Sequence, residues 1–123
     1  WYGITETKEH YHVGYYSLFD ASSQFADWQT IPKKRDLTKD DHKDINDLAW
    51  FSNDYYNVET FGDNDYLYKD LRYPLIETRE GYKAVFNLKL YKTDNRLDMK
   101  PFAPEIGDFK FTMSALWERV KGK

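Results

Sequence analysis

FSNDYYNVETFGDNDYLYKDLRYPL, residues 51–75, is the stretch that decides the fold. It crowds tyrosine and phenylalanine on either side of Gly62-Asp63-Asn64-Asp65. Aromatic and β-branched side chains suit a pleated, half-buried strand, while glycine, asparagine and aspartate tolerate the backbone of a tight reversal. The pattern predicts a hairpin of Tyr55–Phe61 and Tyr66–Tyr73. Pro74 cannot donate to a ladder, so the second strand ends there or lies at an edge. Asp70 and Arg72 are expected to share one face of that strand.

Working outward, Trp1–Thr7 and His10–Phe19 read as two strands around a turn near Lys8-Glu9. Gly14 inside the second predicts a bulge or a close backbone approach. Residues 21–36 read as irregular, with Phe25, Trp28 and Ile31 as core anchors. Thr38 opens a helix with a capping-box pattern, and Asp40 and Asp41 favour its positive end. Ile45, Leu48 and Ala49 form the buried stripe of that helix, and Ser52-Asn53-Asp54 ends it. Tyr82–Leu90 reads as one strand with an apolar and a mostly polar face. Thr93–Gly107 reads as a loop. A last helix starts at Asp108 or Thr112, with Met113, Leu116, Trp117 and Val120 at helical spacing and Gly122 as its C-cap. The predicted class is α+β: an antiparallel sheet of about five strands, two hairpins plus one strand, with two helices packed mainly on one face.

The 123 residues suit a single soluble domain spanning 1–123. Net charge is −3, with 18 basic and 21 acidic residues well mixed, which argues against a nucleic-acid partner. The chain has no cysteine, so disulfides and thiolate chemistry are excluded. No apolar run approaches the roughly 18 residues of a membrane helix. Trp1, Tyr2 and Ile4 read as a strand entered from upstream sequence, so a longer parent protein is expected.

The candidate chemical residues each have a bland counterpart. His10 and His12 share a strand face and offer two imidazoles to a metal, but no third ligand stands at diagnostic spacing. His42 with Asp40, Asp41 and Asp44 offers a weak divalent-ion site or an ordinary charged helix face. Asp63, Asn64 and Asp65 resemble calcium ligands, yet the EF-hand pattern is missing. Lys33-Lys34-Arg35 reads as a solvated turn, with a lipid headgroup or an acidic partner as the functional alternative. Arg72 oriented by Asp70 suits an anion or partner site; the structural reading is a cross-strand ion pair, or Arg72 packed on a tyrosine face. No phosphate loop, nucleophile elbow or HExxH motif occurs.

Three segments together carry a family resemblance: WYGITETKEHYHVGYYSLFD at the start, FSNDYY and YLYKDLRYPL followed by FNLKLY in the middle, and LWERVKG at the end. They resemble the C-terminal soluble region of the predicted membrane-bound metal-dependent hydrolases, a bacterial family. The matching positions are Trp1, Phe51, Ser52, Tyr55, Tyr56, Asp70, Leu71, Arg72 and Tyr73. Pro74 departs from the pattern, in which a glycine often follows the aromatic. The resemblance implies N-terminal membrane helices whose histidines and acids hold a divalent metal in the parent; those motifs do not occur in this chain. It implies a soluble domain at the cytoplasmic side of the inner membrane, with its own membrane helices and a protein partner as contacts. The expected function is a non-catalytic accessory, regulatory or partner-binding domain with no cofactor or metal of its own. The alternatives are residues lent to an active site completed by the membrane part, or a small-ligand-binding module. The expected binding residues are Asp70, Arg72, Tyr68 and His12.

Overall fold

The computed structural model describes residues 1–94, 96–103 and 107–122. Along the chain the elements are β1 (Tyr2–Glu6), β2 (His10–Tyr15), β3 (Ala26–Pro32), α1 (Lys43–Phe51), β4 (Tyr56–Phe61), β5 (Asp65–Asp70), β6 (Leu75–Thr78), β7 (Gly81–Ala84), β8 (Asn87–Lys92), β9 (Leu97–Pro101) and α2 (Phe109–Lys121). The α+β class and the antiparallel pairing are as expected. The single sheet of about five strands is not: among the described residues nine strands form three sheets, β1-β2-β3, β4-β5-β8-β9 and β6-β7. The contacts divide the chain into two compact units.

The first unit holds Trp1–Pro32, Pro74–Lys83 and residues 107–122. β1 and β2 form the expected hairpin, with Tyr2 opposite Tyr15 and Ile4 opposite Val13. β2 ends at Tyr15 rather than Phe19. β3 pairs with β2, although this stretch reads as irregular in the sequence. Gly14 marks both features it suggested. The β2–β3 register shifts between Val13 and Tyr15, and a Cβ at Gly14 would lie 2.9 Å from the Trp28 ring. β6 and β7 form a short hairpin, and α2 packs on β6.

The second unit holds Lys33–Tyr73 and residues 84–103 apart from 95. The central hairpin forms as read, with Tyr56 opposite Asp70 and Phe61 opposite Asp65. Its core gathers Leu37, Ile45, Leu48, Ala49, Tyr56, Val58, Tyr68, Leu90 and Leu97. The Lys33-Lys34-Arg35 cluster is not a free turn: Val58 donates to the Lys34 carbonyl, Asp36 donates to the Val58 carbonyl, and the Arg35 guanidinium lies 3.7 Å from the centre of the Tyr56 ring. The expected strand Tyr82–Leu90 is broken at Val85-Phe86. Asn87 donates from its side chain to the Ala84 carbonyl, which turns the chain, and Asp70 donates to the Phe86 carbonyl. β9 falls in the expected loop; its Leu97 joins the core and its backbone pairs with β8.

Both helices need one correction. The Thr38 box closes as predicted, with Thr38 N–H donating to Asp41 Oδ2 at 2.8 Å and Asp41 N–H to Thr38 Oγ1 at 3.3 Å. It makes only an isolated turn, and α1 starts after His42, whose Nδ1 accepts from the Asp44 amide. In α2 the limits are as read, with Asp108 as N-cap and Gly122 as C-cap. Its apolar stripe, however, stands exposed. The two helices also serve separate units rather than one common sheet face.

Asp44 pins α1 to β9. Its side chain is only 2% exposed, and it accepts from the Arg96 guanidinium at 2.9–3.1 Å and from the Leu97 amide at 2.8 Å. The Arg96 bonds, followed by the Leu97 amide, hold its carboxyl below the usual carboxylate range. A carboxylate depressed in the folded state adds stability above its unfolded pKa and loses it as pH falls through the folded value. Stability is therefore expected to decline below about pH 4. Asp44→Ala should cost about 1–3 kcal/mol at pH 7, since it leaves the Leu97 amide unpaired. The gap to the parent should narrow by pH 3; urea melts that show the same gap at both pH values would contradict this role.

Candidate functional site

The expected site residues Tyr68, Asp70 and Arg72 lie in the second unit. β5 ends at Asp70, so Arg72 is in the following turn and shares no strand face with it. The ion pair is local rather than cross-strand. Asp70 is fully buried and accepts from the Arg72 amide at 3.0 Å, from Nε at 3.1 Å and from Nη2 at 2.7 Å. A carboxylate that accepts its own i+2 amide and grips the same residue's fork fixes the turn that leaves the sheet. The guanidinium sits 5.0 Å from the Phe51 ring centre, a phenylalanine rather than the tyrosine face expected. Tyr68 is fully buried and donates to the Leu48 carbonyl at 3.3 Å; burial pushes its phenol up to about 12.

His12 belongs to the first unit, on β2, with Nδ1 3.2 Å from the Thr30 hydroxyl on β3. The His10 and His12 rings are 6.3 Å apart. Among the described residues, no three His, Asp or Glu side chains are grouped closely enough to hold a metal ion. Likewise, no described helix is long and apolar enough to cross a membrane.

A cleft of about 450 Å³ lies elsewhere, in the first unit. Trp1 and Tyr2, Tyr15, residues 16–19, Pro74–Glu77, Tyr82 and one face of α2 line it. Strand register builds its wall. Tyr2 faces Tyr15 across the β1–β2 pair with ring centres 5.5 Å apart, and Tyr15 stacks on Tyr82 at 6.0 Å. The Tyr15 hydroxyl donates to the Leu75 carbonyl at 3.0 Å, joining β2 to β6. Burial raises the Tyr15 phenol well above its ordinary range, and burial also raises Tyr82.

Beyond Tyr15 the chain turns tightly, which stops β2. Ser17 N–H donates to Asp20 Oδ2 at 2.9 Å, and the Ser17 hydroxyl donates to the Val120 carbonyl at 2.6 Å. Asp20 then takes Arg119 in a two-pronged grip at 2.7 and 2.8 Å, and Asp27 stands 3.4 Å from Arg119 Nε. The helix end must approach closely. A Cβ at Gly122, where φ is 91°, would collide with the Phe19 carbonyl.

Reasoning from the sequence missed these cleft residues, although a signal existed. The opening and closing segments that carried the resemblance contain Asp20 and Arg119, and the fold brings them together as an ion pair. Around the cleft, large apolar side chains remain in solvent: Trp1 is 75%, Leu18 72% and Phe19 73% exposed. On α2 a second stripe, Phe109, Met113 and Trp117, lies outside the cleft lining and is also exposed. In comparisons with family models, curated proteins and solved structures, the chain matches none of them.

Proposed function

We propose that this chain is a non-catalytic accessory domain of a membrane-bound protein of the kind it resembles, the predicted metal-dependent hydrolases. Its role is to bind the membrane part of the same polypeptide at the cytoplasmic surface of the inner membrane. The observation that carries this reading is the apolar stripe Phe109, Met113 and Trp117 on α2, exposed at 65%, 46% and 62%. These residues recur every fourth position, so they form one continuous line along the helix. Water-soluble monomers seldom leave such contiguous apolar surface uncovered, and where they do it marks a protein or membrane contact. The partner chemistry that fits is an apolar helix surface rather than a charged one. The Asp70–Arg72 pair, local to one turn with its carboxylate buried, favours a structural part for those residues over a share in catalysis.

Two measurements on the intact membrane protein test the reading. A photo-crosslinker replacing Trp117 is expected to capture the membrane segments of its own chain, and one replacing Trp50 on α1 is not. Capture from Trp50 alone would overturn the docking surface. The isolated chain is expected to hydrolyse neither generic phosphate nor ester substrates, with or without divalent metal. Metal-dependent turnover abolished by His12→Ala would make it an enzyme instead.

A further inference from the structure

We propose that the cleft of the first unit is a binding site for one uncharged apolar molecule, an acyl chain or fused-ring compound carrying a single hydrogen-bonding group that Thr112 receives. This goes beyond the docking surface and does not depend on it, because Phe109, Met113 and Trp117 take no part in lining the cleft. A volume of about 450 Å³ falls within the range of about 300–1,000 Å³ usual for small-molecule sites. The walls are aromatic and aliphatic, from Tyr2, Tyr15, Leu75, Tyr82, Leu116 and Val120.

Charge decides against an anionic ligand. Arg119 is the cationic side chain among the described lining residues: Asp20 grips its two terminal nitrogens, and Asp27 stands 3.4 Å from Nε, which makes no hydrogen bond. Glu77 adds a carboxylate, so an anionic headgroup would meet net negative surroundings. The half-buried Tyr15 and Tyr82 keep their protons, which preserves neutral walls. A cationic headgroup needs open ring faces. Within the cleft wall Tyr2, Tyr15 and Tyr82 are occupied with one another, and a cation there would stand beside the Arg119 guanidinium; the exposed ring of Trp1 is left to the rim.

The polar handle is independent of the cleft's shape. Thr112 lines the cleft, is 6% exposed, and its buried hydroxyl oxygen has no hydrogen-bond partner among the described residues. A buried hydroxyl without a partner is costly, and native structures rarely carry one without a reason. A turn of the Thr112 side chain about its Cα–Cβ bond brings that hydroxyl to the cleft, where a ligand hydroxyl or carbonyl supplies the missing bond.

Titration with diphenylhexatriene, which fluoresces on entering an apolar site, tests the proposal on the full chain. Saturable one-to-one enhancement is expected, reversed by 1-decanol and at least tenfold less well by decanoate or decyltrimethylammonium, all below their aggregation limits. Ala115→Trp fills the cleft and should abolish the signal without lowering the melting temperature. Thr112→Val removes only the hydroxyl. It should melt no lower than the parent, bind diphenylhexatriene unchanged, and weaken decanol about two- to tenfold, the size of one neutral hydrogen bond. Met113→Asp should leave both ligands bound while removing the membrane-segment crosslink from position 117, which separates failure of this site from failure of the docking surface. Non-saturable enhancement, decanol displacement unchanged in Thr112→Val, or an ionic amphiphile competing as well as decanol would each overturn the proposal.

Discussion

Removing residues 1–7 is expected to abolish cooperative unfolding of the first unit and to send the product into aggregates. β1 is the edge strand of its sheet and pairs there with β2, so its loss bares the whole outer ladder of β2 from Tyr11 to Tyr15. Unpaired strand edges recruit other chains. The same deletion takes Trp1 and Tyr2 from the cleft and leaves Tyr15 without its ring neighbour on β1. Size-exclusion chromatography with near-ultraviolet circular dichroism during melting reads both effects. A truncated chain that stays monomeric and melts like the parent would show that β1 adds nothing to the sheet, and the cleft would lose one wall of its argument.

Arg72→Ala is expected to cost about 2–4 kcal/mol and Asp70→Ala less, about 1–2 kcal/mol. The asymmetry follows from burial. The Asp70 side chain is 0% exposed, whereas that of Arg72 is 35% exposed. Without Asp70 the guanidinium turns to water, whose screening limits the loss. Without Arg72 the carboxylate stays buried with far weaker compensation, and the contact over Phe51 also disappears. The double variant should cost less than the sum, because the two side chains form one unit. Denaturant melts of the four proteins measure the cycle. Additive losses, or losses larger for Asp70→Ala, would refute the buried-pair account; unchanged melts with lost partner binding would return both residues to a recognition role.

What was legible locally came true locally. The Gly62–Asp65 reversal, the Ile45, Leu48 and Ala49 stripe, the Asp108 and Gly122 caps and the first hairpin rest on neighbours within a few residues, and sequence spacing records such neighbours directly. The failures share one cause. β3 alternates half-buried and exposed positions from Ala26 to Pro32, with no clear apolar period to announce it. β9 has Leu97 as its one fully buried anchor and takes its order from β8. Tyr82–Leu90 keeps an alternating pattern through a break that only Asn87 and the Ala84 carbonyl explain.

By itself, then, the sequence determined the α+β class, the antiparallel hairpins, the position of both helices and the importance of its aromatic residues, because each depends on backbone propensity and short-range periodicity. The tertiary structure alone decided where those aromatic faces go. Periodicity shows that Met113, Leu116, Trp117 and Val120 form one side of a helix, but not how far anything covers it; here each stays about half exposed or more. Spacing put Asp70 and Arg72 together, but only the chain's exit from β5 made the pair a buried turn lock. Asp20 and Arg119 are 99 residues apart, and no local rule relates them. Their pairing closes the cleft because packing, a property of surfaces brought together across the chain, chose the partners.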